Sequence, residues 1–136
     1  MGHPLLENRS RMITWWLAWL LLGAGQSLLL YKAYGGEAAI SIAEGCISMI
    51  VYPVLALAAW YPIKFFNSNS RNMVTLLANL LATAVIMTGL WLLITRAMMS
   101  ALFQNGSGYN VFWNATLSYR LGSGILICIL VILTYY

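Results

Sequence analysis

The sequence contains no aspartate. Its acids are Glu7, Glu37 and Glu44, its one histidine is His3, and 7% of its 136 residues are charged. A water-soluble domain carries about a quarter charged residues, so this chain cannot cover the surface of a soluble globule. With so few carboxylates and a single imidazole, no nucleophile–base pair, Walker loop or metal-ligand spacing can be assembled, and no catalytic residue is expected in this stretch. Gly106-Ser107-Gly108 lacks the length and the lysine of a phosphate loop and reads as a turn. Seven basic residues against three acidic ones leave a charge of +4, but no basic run of the kind a nucleic-acid backbone needs. Cys46 and Cys128 fall in apolar stretches without a metal-spaced partner, and both are expected to be small buried hydrophobes.

What fills the chain is apolar: 62% of the residues are hydrophobic, and the mean hydropathy is +0.81. Four long runs stand out, Met12–Tyr31, Ala38–Trp60 with Glu44 inside it, Met73–Ile94, and Leu121–Tyr136. Twenty residues at about 1.5 Å each span about 30 Å, the hydrocarbon thickness. The last run is too short by itself and is expected to begin near Trp113. None alternates with period two, which excludes a β-barrel. The expectation is an all-α membrane protein, four transmembrane helices (about 12–31, 38–60, 73–94 and 113–136) in an antiparallel bundle. The first run is too long for an ordinary signal-peptide core and no small-x-small cleavage site follows, so it reads as a retained helix.

Lys32–Glu37 reads as a tight turn around Gly35-Gly36, Tyr61–Asn72 as a polar loop, and Thr95–Arg120 as a long connection whose tip is Gln104-Asn105-Gly106-Ser107-Gly108. Arg9, Arg11, Lys64 and Arg71 fall on one side of the bundle; Lys32, Arg96 and Arg120 fall on the other. That bias favours both termini inside. Trp15, Trp16, Trp19, Trp60 and Tyr61 are expected to ring the inner interface, with Tyr31, Tyr34, Trp91 and Trp113 outside.

Glu44 needs a reason, because an unpartnered carboxylate inside a spanning helix costs about 2.5–3.5 kcal/mol on insertion scales. It is either a ligand-, proton- or ion-sensing group or one half of a buried pair that locks the bundle. The depths point to a partner. Glu44 lies about 9 Å below the start of helix two, and Gln26 about 7.5 Å below Tyr31. Arg120 lies about 10 Å in, if helix four begins near Trp113. A guanidinium can fork onto the carboxylate while Gln26 satisfies a leftover donor or acceptor, so a Glu44–Arg120 contact with Gln26 nearby is expected. Asn79 is expected to hydrogen-bond between helices, Pro53 to kink helix two, and Gly23-Ala24-Gly25, Ser41/Gly45 and Gly122/Gly124 to permit close helix approach. The sequons at Asn8, Asn105 and Asn114 carry little information.

Several features occur together: the His3-Pro4 start, the Trp-rich first helix ending near Gln26, Glu44 early in helix two, Trp60-Tyr61-Pro62 at its close, Asn79, and Tyr119-Arg120-x-x-x-Gly124. This set resembles the N-terminal membrane domain of LytS/YehU-type sensor histidine kinases, especially the short four-helix versions of Bacteroidetes. The resemblance implies a signal-input and anchoring domain in a bacterial inner membrane, a homodimer, and a response regulator reached through a kinase region beyond Tyr136. ATP and Mg²⁺ would belong to that region, and His3 does not match the phosphoacceptor box. The absence of a Lys or Arg after Arg120 agrees with a chain that continues. The rival readings are a small transporter or channel protomer and a purely structural membrane partner. Scarce polar groups weigh against transport.

Overall fold

The computed structural model describes residues 3, 5–69, 72–103 and 108–135. Pro4, Arg71, Tyr136, and the loop tip 104–107 with its sequon at Asn105 lie outside them. The described residues form four helices, α1 (Arg9–Lys32), α2 (Ala38–Asn69), α3 (Met73–Leu102) and α4 (Tyr109–Tyr135). All four are long and apolar enough to cross a bilayer. The chain is a four-helix, multi-pass membrane bundle.

Local chemistry sets the ends. Asn8 and Asn72 accept from the backbone N–H groups of Ser10 and Val74 at 3.0 and 3.1 Å, capping α1 and α3. The sequon residue Asn8 is thereby a helix cap, and Asn114 sits inside α4. At the far end of α1, Gly35 takes φ 63°, a left-handed conformation that favours glycine. The N–H of Gly36 then returns to the Leu30 carbonyl at 3.1 Å, which satisfies one of the last carbonyls of α1.

All four helices are longer than the apolar runs suggest, α1 by one turn. α2 continues through Tyr61–Asn69, where a polar loop is expected, and runs through both Pro53 and Pro62. Pro62 leaves one carbonyl, that of Ala58, without its helical donor. Packing outweighs that loss, because Ala59 and Ile63 are buried with Ala84, Cys128 and Ile132. α3 extends to Leu102 and α4 starts at Tyr109, four residues before Trp113, since no Gly or Pro interrupts either stretch.

α2 is the centre of the bundle and packs against the other three helices, while α3 also packs on α4. The backbone of α1 packs closely on α2 alone: no described Cα of α1 comes within 8 Å of one in α3 or α4, although the Trp15 ring reaches Tyr135 of α4. The α1–α2 crossing is a glycine contact. A Cβ on Gly45 would stand 2.8 Å from the Gly23 carbonyl oxygen and run into Ser27, and one on Gly23 would run into Met49. Gly124 serves α4 likewise: a Cβ there would lie 2.6 Å from Thr88 Cγ2 and 3.1 Å from the Tyr52 hydroxyl. Lipid offers helices no hydrophobic drive to associate, so such close packing and polar contacts hold them together.

The aromatic rings divide between surface and core. Trp16, Tyr31, Tyr34 and Tyr61 are exposed, as interface residues would be, but Trp19, Trp91 and Trp113 are buried. Tyr52 lies between two of them, with ring centroids 5.5 Å from Trp19 and 4.5 Å from Trp91. These tryptophans fill the core instead of marking the membrane boundary. His3 is buried against Trp60 and Tyr135, at ring distances of 5.1 and 5.8 Å. Cys46 is exposed and only Cys128 is buried, 3.6 Å from the Thr88 hydroxyl.

Candidate functional site

The strongest concentration of chemistry lies where α2 and α4 cross, toward the end of the bundle that holds Lys32 and Tyr109. Glu44 on α2 and Arg120 on α4 form a salt bridge with both side chains fully buried. Arg120 Nη2 donates to Glu44 Oε2 at 2.9 Å, and Nη1 pairs with Oε1, a two-pronged contact. Arg120 Nε donates to the Thr116 hydroxyl at 2.8 Å. Thr116 in turn donates to the Phe112 carbonyl at 2.8 Å, so the cluster ends on the backbone of α4.

Helix geometry explains why the pair can meet. With α4 starting at Tyr109, Arg120 enters about 16 Å deep, below the roughly 9 Å of Glu44. Side chains on a helix lean toward its N-terminus. Arg120 therefore runs back along α4 past Thr116, and its guanidinium sits 4.3 Å from the Trp113 ring centre and 5.8 Å from Phe112. Trp113 also takes the Arg96 guanidinium at 5.3 Å, and Arg96 reaches Asn110 at 3.4 Å. The aromatic rings close the site from lipid and add attraction to the cation. Gly36 completes the cover, since a Cβ there would fall 2.8 Å from Phe112.

Gln26 does not join the pair. No hydrogen bond links it to Glu44 or Arg120, and its Nε2 is buried without a partner. It faces a separate cavity between α1 and α4. The position expected of Gln26 is taken by Thr116, because a hydroxyl four residues before Arg120 on the same helix is reached with no interhelical movement. Depth alone cannot distinguish these, as it fixes height along the bundle and not azimuth. Among the described residues, Asn79 has no interhelical hydrogen bond either. Its carbonyl accepts from Thr83 at 2.9 Å within α3, and the residue lines a groove beside Pro62 and Phe66. α2 runs through Pro53 unbroken, with the ring fully buried.

Among the described residues, no group of three or more His, Cys, Asp or Glu side chains comes together. The ion pair is a cluster of no net charge that couples α2 to α4. Sequence reading missed Thr116, Phe112 and Trp113 as members of it. Their spacing from Arg120, at i−4, i−8 and i−7, places all three on one face of α4. Comparison of the chain with protein-family models, with curated proteins and with solved structures returns no match.

Proposed function

We propose that the chain is the signal-input and anchoring domain of a bacterial sensor histidine kinase of the LytS/YehU type, seated in the inner membrane with both termini inside. The observation that carries this reading is that two of the residues behind the resemblance meet and a third seats the same helix. Glu44 meets Arg120, and Gly124, one helical turn further along α4, is seated against Thr88, Tyr52 and Trp91. α4 is thus fastened to α2 and α3, and a shift of either is passed along α4 toward Tyr135. On this reading α4 feeds a cytoplasmic linker, the protein works as a homodimer, and a kinase region beyond Tyr136 binds ATP and Mg²⁺ and phosphorylates a response regulator.

The coding sequence after Tyr136 is the direct test. A coiled-coil linker followed by a histidine kinase domain is expected, as is autophosphorylation of the whole protein from labelled ATP in membranes. A stop codon directly after Tyr136 sinks the reading.

A further inference from the structure

Because the backbone of α1 packs closely only on α2, it leaves a cavity of about 300 Å³ between itself and α4, with Ser48 and Tyr52 on the α2 side and Tyr119 and Ser123 on the α4 side. Four side chains that line it carry buried polar atoms with no hydrogen-bond partner: Trp19 Nε1, Gln26 Nε2, Ser48 Oγ and the Tyr52 hydroxyl, the last of which also faces Gly124. Trp19 and Ser48 are 5% and 2% exposed. Ser48 is informative. Ser27, Thr83, Thr88, Thr116 and Thr134 each return their hydroxyl to the carbonyl four residues back, the ordinary resort of a helical hydroxyl in lipid. The hydroxyl of Ser48 has no such bond, and unlike Ser41 and Thr95, whose buried hydroxyls are also without partners, it lines this cavity. An orphaned polar group in a membrane interior is costly, and four that share one cavity call for an occupant.

The donors define that occupant. An indole N–H and an amide N–H₂ can only donate, and a hydroxyl can do either, so the ligand must offer acceptors. No charged side chain lines the cavity, so the ligand is neutral. Tyr119 and Ser123 add hydroxyls on the α4 side, and the other walls are apolar, Leu21, Leu22, Leu29 and Ile127 among them. Water alone is a poor match: about ten molecules would fill this volume at roughly 30 Å³ each, and each needs two to four polar partners, while one long wall is leucine and isoleucine. The volume matches the lower end of small-molecule sites, about 300 Å³, enough for one ring or a compact head group.

We propose that this cavity binds a neutral, carbonyl-bearing amphiphile, which enters from the hydrocarbon between α1 and α4 and accepts hydrogen bonds from Trp19, Gln26 and Ser48. The site does not depend on the kinase reading, and its test involves no kinase activity.

Two substitutions report on it. Gly25 lines the cavity and a Cβ there meets nothing within 4 Å, so Gly25→Phe fills the space without a clash against the bundle. Gln26→Leu keeps the size and removes a donor. The chain, in nanodiscs with ¹⁵N-labelled tryptophan, is titrated separately with a decyl-tailed benzoquinone and with dioctanoylglycerol. The Trp19 indole N–H resonance, assigned through Trp19→Phe, is followed. A saturable shift is expected, weakened at least about tenfold in each variant, a loss equivalent to about 1.4 kcal/mol. A response to the quinone alone assigns the site to a free membrane-soluble carbonyl compound. A response to the glyceride alone assigns it to a lipid ester, and a response to both supports the shared acceptor chemistry. No saturable shift with either probe, or saturation unchanged in Gln26→Leu, overturns the proposal.

Discussion

Glu44 and Arg120 are each expensive inside a bilayer, and each is tolerable only through the other. Their bidentate contact, the Thr116 hydroxyl on Arg120 Nε and the Trp113 ring over the cation leave neither charge exposed. Removing one partner strands the other as a buried, uncompensated charge, which costs about 3–5 kcal/mol. Glu44→Gln and Arg120→Gln are each expected to lower stability by that order in detergent-titrated unfolding. The double variant should recover much of the loss, since two amides can hydrogen-bond where the ions stood. Losses that simply add would mean the two residues are energetically independent. Thr116→Val keeps the shape and removes the acceptor for Arg120 Nε, leaving a buried charged donor unpaired. A cost of about 1–3 kcal/mol is expected in the same assay.

The helices differ in how firmly they are held. α4 is fixed by Gly124, which admits Thr88 and the Tyr52 hydroxyl to van der Waals contact or closer, whereas Gly122 on the same helix has open space around its Cβ position. The two glycines form an internal control. Gly124→Leu is expected to destabilise the bundle by several kcal/mol or prevent its assembly, and Gly122→Leu to change stability by less than about 1 kcal/mol. Equal effects would show that the α3–α4 contact does not depend on that close approach. α1 has fewer attachments. Its hold on α2 is the Gly23–Gly45 crossing and the Trp19–Tyr52 stack, with ring contacts from Trp15 to Tyr135 and Tyr34 to Tyr119 reaching α4. Amide exchange in α1 is accordingly expected to be faster than in the apolar centre of α2, as local opening follows from few buried contacts. Slower exchange in α1 would contradict its peripheral place.

At the scale of the whole molecule, the ends of α1, α2 and α4 meet at one face, where His3 touches Trp60 and Tyr135 and the Tyr135 hydroxyl donates to the Ala56 carbonyl at 3.0 Å. The termini therefore share a side, and the connections α2–α3 and α1–α2 lie at opposite ends. With basic residues favouring that shared side as the cytoplasmic one, a cytoplasm-active reporter inserted after Asn69 is expected to be active, and one inserted at Ser107 silent. The reverse pattern would invert the topology. The proposed coupling through α4 needs this arrangement, because α4 must leave the bilayer on the side where ATP is available.

The amino-acid sequence by itself determined the class of the protein. Four long apolar runs, broken by Glu44 alone, and ten charges in 136 residues admit no soluble fold. The lack of period-two alternation leaves helices as the way to satisfy backbone polar groups in hydrocarbon. It also pointed to Glu44 and Arg120, since two opposite charges at similar depth have one inexpensive solution. Tertiary structure decided what depth and periodicity leave open. Azimuth around each helix sends Gln26 to the α1–α4 cavity and brings Thr116 to the guanidinium. It also turns Trp19, Trp91 and Trp113 inward, although their hydropathy suits an interface. Packing against Ala84 and Ile132 carries α2 past Pro62, where local chemistry alone would stop it. The cavity itself is a consequence of how α1 leans, a property of the angles between helices and of no single stretch of chain.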